Sequence, residues 1–247
     1  MTLYGLSRAA AATRRRHVLP NGTAYWKSAF IDPDRDAPGQ RPTGFLVEQE
    51  GPSEILPHFH QANQFQVFVD GTGFLGKHEI APVTVHYTDA HSPYGPILSG
   101  ETGLRYYTLR DDFDPGARFL PGALPELRKG RRRYATSAPA APPDPAEIAT
   151  VSRTVMIPFE ADGLGAVRID APAGETITAA IGLQVNDRFL LVLAGGVEVG
   201  GQGLTGGSCL FMGRDDGDPG VVAAPGGASL VIMQFPTHDP GISRPPG

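Results

Sequence analysis

The chain of 247 residues contains a single cysteine, Cys209, so no disulfide can form within it. Cys209 lies in the apolar stretch Ser208–Met212 with no histidine near it in sequence, and is expected to be a small buried side chain rather than a nucleophile. Long hydrophobic runs are missing too. None approaches the ~18 residues that a membrane-spanning helix needs, and the basic cluster Arg14–Arg16 is not followed by the apolar core of a secretory signal. A cytoplasmic protein is the simplest expectation. An excess of positive charge is likewise absent. Twenty-one Lys and Arg face 26 Asp and Glu, for a net charge of -5, whereas nucleic-acid binders usually show a basic excess or stripe. The clusters Arg14–Arg16 and Arg128–Arg133 lack the interleaved aromatics that stack on bases and read as solvated surface or linker.

Helical periodicity is nearly absent as well. What the chain has instead is punctuation: 32 Gly and 24 Pro, together close to a quarter of the residues, spread between short hydrophobic runs. Spaced in this way they mark turns of an all-β protein. Apolar, β-prone segments such as Phe189–Leu193 argue against disorder. Asp70-Gly71 between two such runs predicts a hairpin turn. Ser7–Ala12 could form a turn or two of helix, and a short helix could follow Pro121. The Arg-rich segment from 128 and the Ala/Pro-rich stretch Ala135–Pro145 read as a semi-rigid spacer. The resulting division is an arm over 1–21, a domain over 22–127, a linker over 128–150 and a second domain over 151–247.

Five of the seven histidines fall in one window: His58, His60, His78, His86 and His91. On an extended strand the side chains of His58 and His60 point to one face, and paired neutral imidazoles are a common start for a Zn, Fe, Cu or Ni site. A third ligand must come from elsewhere. His91, in a turn-rich segment just after a strand, is the first choice and His86 the alternative. Gln64 and Gln66 share the parity of the histidines. They could serve as a ligand and a substrate contact, or simply bond across strands. Tyr94, Arg105, Tyr106 and Tyr107 could hold a carboxylate or phenol, or could form a packing face. His78 reads as strand edge, His17 and His238 as exposed, Trp26 as core or interface. Gly200-Gly201-Gln202-Gly203 lacks the strand-to-helix context and the Gly-Lys-Ser/Thr of a phosphate loop, and reads as a turn.

The run Pro57-His58-Phe59-His60-Gln61-Ala62-Asn63-Gln64, ending at Asp70-Gly71, resembles the first motif of the cupin superfamily, with Gln64 in the place of its Glu. His91 followed by Ser92-Pro93-Tyr94-Gly95-Pro96 resembles the end of the second motif, without its leading Gly and final Asn. In the second half, Ala171-Pro172-Ala173-Gly174-Glu175 and Phe189–Leu193 with Ala194-Gly195-Gly196 resemble the opening strand and hairpin of another cupin barrel, without His-x-His. The resemblance implies two tandem jelly-roll β-barrels, the second degenerate, and a homodimer. In the first barrel it implies a divalent transition metal, Fe(II) before Mn, Ni, Cu or Zn, held by His58, His60 and His91, with Gln64 as fourth ligand or outer hydrogen bonder. The expected function is dioxygenase-like oxidation of a small organic acid or phenolic compound, with an isomerase or lyase as rival. A non-catalytic small-molecule sensor is the other class, and bound metal discriminates the two.

Overall fold

The computed structural model describes residues 1–32, 39–130, 132–179, 182 and 185–237. It is an all-β structure of two jelly-roll barrels, each dominated by one large antiparallel sheet. In the N-terminal sheet the strands lie in the order Tyr134–Thr136, Thr84–Thr88, Gln64–Leu75, Ile97–Arg110, Thr43–Gln49, Ala24–Ile31, Arg15–Val18. The C-terminal order is Thr2–Gly5, Cys209–Met212, Arg188–Val199, Val221–Gln234, Gly165–Ala171, Ser152–Ile157.

Both sheets borrow their first strand from outside their own half. Thr2–Gly5, expected in an N-terminal arm, pairs antiparallel with Cys209–Met212 and closes an edge of the C-terminal sheet. Ser7–Ala11 then makes one short helix, and Arg15–Val18 returns to pair with Ala24–Ile31. Conversely Tyr134–Thr136, expected in a semi-rigid spacer, pairs with Thr84–Thr88 of the N-terminal sheet. The following Ala/Pro stretch is pinned by Ser137 N–H to Val85 O (2.9 Å) and Ala140 N–H to Val83 O (2.9 Å). Each loan covers a row of otherwise unpaired backbone groups.

Strand alternation sorts the apolar residues into three cores. In Gln64–Leu75, Phe68 faces the interior of its own barrel while Phe65 and Val67 face the other barrel. The layer between the barrels gathers Phe65, Tyr87, Leu109, Phe189, Phe211 and Phe235, all buried, with Phe65 and Phe235 5.0 Å apart edge to face. The C-terminal interior is filled by Val, Leu, Ile and Met such as Ile169, Leu190, Val192 and Leu230. The N-terminal interior is apolar at one end only, around Val47, Phe68, Leu75 and Leu104. Its other end carries His58, His60, Gln64 and Arg110, all buried.

Asp70-Gly71 is not the hairpin turn that its sequence suggests. The strand runs through it, and the turn comes later, where Leu75 pairs with His78. Gly71 sits instead at a register break, with φ 78°, where the long strand bends from one barrel face to the other. A Cβ there would lie 2.1 Å from Gly103 O, so tertiary closeness rather than a local turn demands glycine. Gly71→Ala combines this clash with a disfavoured φ and is expected to lower the unfolding free energy by about 3 kcal/mol. Gly174→Ala shares the positive φ (74°) but meets nothing within 4 Å, and should cost about 1 kcal/mol. Urea denaturation of the two variants measures the difference; equal losses would remove the steric argument.

Candidate functional site

The site lies at the polar end of the N-terminal barrel. His58-Phe59 forms a short strand pairing with Arg118–Phe119, and His58 is bridged on its other side by Tyr94. Backbone bonds His58 N–H to Tyr94 O (3.1 Å) and Tyr94 N–H to His58 O (2.9 Å) set the two side chains against each other, ring centroids 4.5 Å apart. Alternation sends His58 and His60 inward together, 5.1 Å between centroids, and Phe59 outward.

One continuous hydrogen-bond chain connects these residues. The Nδ1–H of His58 donates to Leu56 O (2.7 Å), so its Nε2 accepts from the Tyr94 hydroxyl (2.9 Å). The same hydroxyl accepts from Gln64 Nε2 (2.6 Å), and Gln64 Oε1 accepts from Arg110 Nε (3.1 Å). Arg110 Nη2 lies 3.1 Å from both ring nitrogens of His60. Since His60 Nδ1–H donates to Asp114 Oδ1 (2.8 Å), the lone pair that meets Arg110 is that of Nε2. Asp114 also accepts from Gln61 N–H (2.6 Å) and Gly116 N–H (2.8 Å), with Arg110 Nη1 at 3.4 Å.

Burial sets the charge states. It pushes His58 down to about 3, helped by the neighbouring His60, and His60 down to about 4, helped by Arg110. His86 is pushed down to about 3 by burial. Burial raises Tyr94, which keeps its proton. Burial alone would raise Asp114 as well. The hydrogen bond from His60, with Arg110 and the Gln61 N–H, instead holds it below the ordinary carboxylate range. The hydrogen-bonded cluster therefore joins neutral imidazoles to the Asp114 carboxylate and the Arg110 guanidinium.

The sequence-derived candidates divide. His58, His60, Gln64, Gln66 and Tyr94 come together. Gln66 and Tyr94 line the cavity, and the buried Gln66 Oε1 has no hydrogen-bond partner among the described residues. His91 does not join them. It occupies a left-handed turn (φ 57°) that bonds its N–H to His60 O (2.7 Å), and its half-buried ring rests on the outward-facing Phe59, 5.7 Å between centroids. Three residues further on, Tyr94 takes the inward place opposite His58. His86 is inward, but both ring nitrogens are bonded, to Thr136 Oγ1 (2.8 Å) and Thr88 Oγ1 (2.7 Å). Arg105 is half exposed beside Glu48 and Asp70 at 3.8 and 3.9 Å. The Tyr107 hydroxyl donates to Gly207 O (3.1 Å) and its ring packs between the barrels, so neither residue reaches the cavity. His17 and His78 are exposed, and His238 lies outside the described residues. Arg110, Asp114 and Lys27 were not singled out from sequence. Arg110 carried a weak signal, as the next position on the even face of Tyr106 and Thr108; Asp114 carried none.

The residues present do not fit the expected three-histidine metal centre. Among the described residues no group of three His, Cys, Asp or Glu side chains could hold a metal ion. The Nε2 lone pairs of His58 and His60 are each met by a donor, and the donor at His60 is a permanent cation that would repel a second one.

No protein-family model and no curated protein sequence matches the chain. Solved structures do. The bacterial pirin YhhW of Escherichia coli, in complex with nickel(II), aligns with a TM-score of 0.57 at 11% identity, over 96% of this chain and 100% of that one. The fold is that of the cupins. Oxalate decarboxylase of Bacillus subtilis aligns with a TM-score of 0.56 at 10% identity, over 97% of this chain and 77% of that one. Quercetin 2,3-dioxygenase of Acinetobacter baumannii aligns at 0.52 and 16%, over 96% and 79%. This cupin fold is therefore shared with a decarboxylase and a dioxygenase.

Two predictions test the network. Tyr94→Phe strands both His58 Nε2 and Gln64 Nε2 in the interior and should cost about 3 kcal/mol in urea denaturation. His91→Ala should cost less than about 1 kcal/mol; if the two losses match, the network is misassigned. The second concerns pH. Three buried histidines with folded values near 3 to 4 regain about 6.5 when unfolded. Below pH 6.5 the unfolded chain takes up protons that the folded chain refuses, so stability is lost as pH falls. Buried Asp111, pushed up to about 8, has the opposite sign, because its folded form retains a proton that the unfolded carboxylate has released. Three groups against one leave a net loss of roughly 3 kcal/mol per pH unit from pH 6 toward 4.5. A stability that stays level over that interval would show the imidazoles to be protonated inside the barrel.

Proposed function

We propose that the N-terminal barrel binds a small organic acid in the cavity beside His58 and His60, through the fixed cations Arg110 and Lys27 rather than through a metal. The observation that carries this reading is a charge imbalance. Among the described residues the cavity, about 240 Å³, is lined by Lys27 and Arg110 against a single carboxylate, Asp114. Both cations lie against the Phe45 ring, Lys27 Nζ at 4.1 Å and the Arg110 guanidinium carbon at 5.2 Å from its centroid. Burial and the nearby Arg110 lower Lys27, while Asp32 and Asp114 pull the other way. Two cations pressed together in a poorly solvated space are relieved by an anion. The walls, Tyr25, Phe45, Tyr94, Tyr106 and Phe119, suit the flat apolar body of a small aromatic or unsaturated acid. Gln66 Oε1 and the Tyr94 hydroxyl stand by for its polar substituents.

In this reading Lys27 meets the carboxylate directly. Arg110, whose hydrogen bonds hold His60 and Gln64, contributes field and shape. The oxalate decarboxylase among the fold relatives acts on a carboxylate, which agrees with the ligand class. The rival reading is a metal-dependent, dioxygenase-like oxidation of an organic acid or phenol. Its support is the inward His58–His60 pair, and it requires Arg110 to withdraw from His60 and Tyr94 from His58.

Elemental analysis and calorimetry separate the two. Protein purified without chelators is expected to carry far less than one equivalent of metal and to bind benzoate. Lys27→Met should weaken benzoate at least tenfold, the loss of one charge-assisted contact, and Arg110→Gln should weaken it too, through loss of the positive field and of the network that shapes the cavity. One equivalent of metal that disappears in His58→Ala would overturn the proposal in favour of the metal-dependent enzyme.

A further inference from the structure

The C-terminal barrel contains a side chain that its core does not account for. Strand Arg188–Val199 is the counterpart of Gln64–Leu75. Both have 12 residues, and both bend at a positive-φ glycine, Gly71 and Gly195, where a Cβ would come 2.1 Å from a carbonyl oxygen, Gly103 O and Gly227 O respectively. In this correspondence Arg188 stands where Gln64 stands. The neighbouring strands agree: Arg110 is the register partner of Gln64, and Gln234 that of Arg188. The Arg–Gln pair occurs in both barrels with its members exchanged.

Their surroundings differ. Arg110 is held by Gln64, His60 and Asp114. Arg188 is only 1% exposed and lies on the strand face of Leu190 and Val192; among the described residues it makes a single hydrogen bond, from Nη1 to Asn186 O (3.3 Å), and its buried Nε has no partner. Asp187, Asp216 and Asp218 act on it from a distance, and none comes within ion-pair range among the described residues. Each is engaged elsewhere: Asp187 with Gln40 Nε2 and Arg214 N–H, Asp216 with Thr2 Oγ1 and the Met1 amino group, Asp218 with Thr178 Oγ1 and Gly220 N–H. A guanidinium keeps its charge when buried, and one without a contacting carboxylate is a costly element of a barrel core.

We propose that Arg188 anchors a second ligand site, inside the C-terminal barrel, for a small singly charged oxyanion such as a carboxylate. The anion would accept both hydrogens of the Nε–Nη2 edge, the bidentate geometry that guanidinium presents to a carboxylate. The three carboxylates around it disfavour polyanions. The site is separate from the Lys27–Arg110 cavity and does not depend on that reading.

Formate is the probe, titrated into the full chain at constant ionic strength and followed in an arginine Nε–Hε proton–nitrogen spectrum. The Arg188 resonance, identified by its disappearance in Arg188→Lys, should move saturably with formate. Arg188→Lys keeps the charge but removes the edge, and should lower formate affinity at this site at least about tenfold. Arg110→Gln should leave the Arg188 shift in place. A resonance that stays still throughout the titration overturns the proposal, as does an unchanged formate affinity in Arg188→Lys. If Arg188→Lys does not fold, Arg188→Gln supplies the identification, and the behaviour of the parent resonance alone decides.

Discussion

A guanidinium enclosed in a β-barrel must find acceptors for its hydrogens, and much of the N-terminal site follows from how Arg110 does so. Its Nε takes Gln64, its Nη2 takes His60, and its Nη1 approaches Asp114. Each acceptor is thereby oriented for its next partner. Gln64 turns its amide to Tyr94, Tyr94 turns its hydroxyl to His58, and His58 ends the chain on the Leu56 carbonyl. A fully satisfied buried network of this kind is rigid, and each member is costly to remove. It also fixes protonation, since imidazoles beside a cation and away from water remain neutral.

The two barrels solve the problem of filling a jelly roll in different ways. The C-terminal interior is lined with aliphatic side chains, and among the described residues the exchanged Arg188 is the one large charged side chain on that face. The N-terminal interior is divided, apolar below and polar around a cavity above. A barrel with an aliphatic core can brace one with a cavity only if they are joined. Here the joint is the aromatic layer of Phe65, Phe189 and Phe235, together with the reciprocal loan of edge strands. A cavity costs stability in proportion to the contacts that it forgoes, and the shared layer and the neighbouring core offset that cost.

Much of the fold was legible in the chain, because turns and alternation are local properties. The short runs bounded by Gly and Pro became strands, and the second half without His-x-His became a second barrel with the same strand order. His58 and His60 could be assigned to one face by parity, and so could Gln64 and Gln66 on the strand that follows, since alternate side chains of an extended segment share a face. The misreadings share a physical origin. Asp70-Gly71 has the residues of a tight turn, yet Gly71 answers to the approach of Gly103, 32 residues further along the chain. His91 has the chemistry of a ligand, but the backbone before Tyr94 turns it onto Phe59. The segments 1–21 and 128–150 look unattached because their partners, Cys209–Met212 and Thr84–Thr88, lie elsewhere in the chain.

By itself the sequence determined the class of fold, the inward histidine pair and the absence of a disulfide within the chain, for all of these rest on periodicity, spacing and composition. Only the tertiary structure decided what faces those histidines. Arg110 lies at the far end of another strand, Asp114 in the loop beyond it, and Lys27 two strands away. Their charges converge because the barrel closes, and closure is a long-range event that no local pattern encodes.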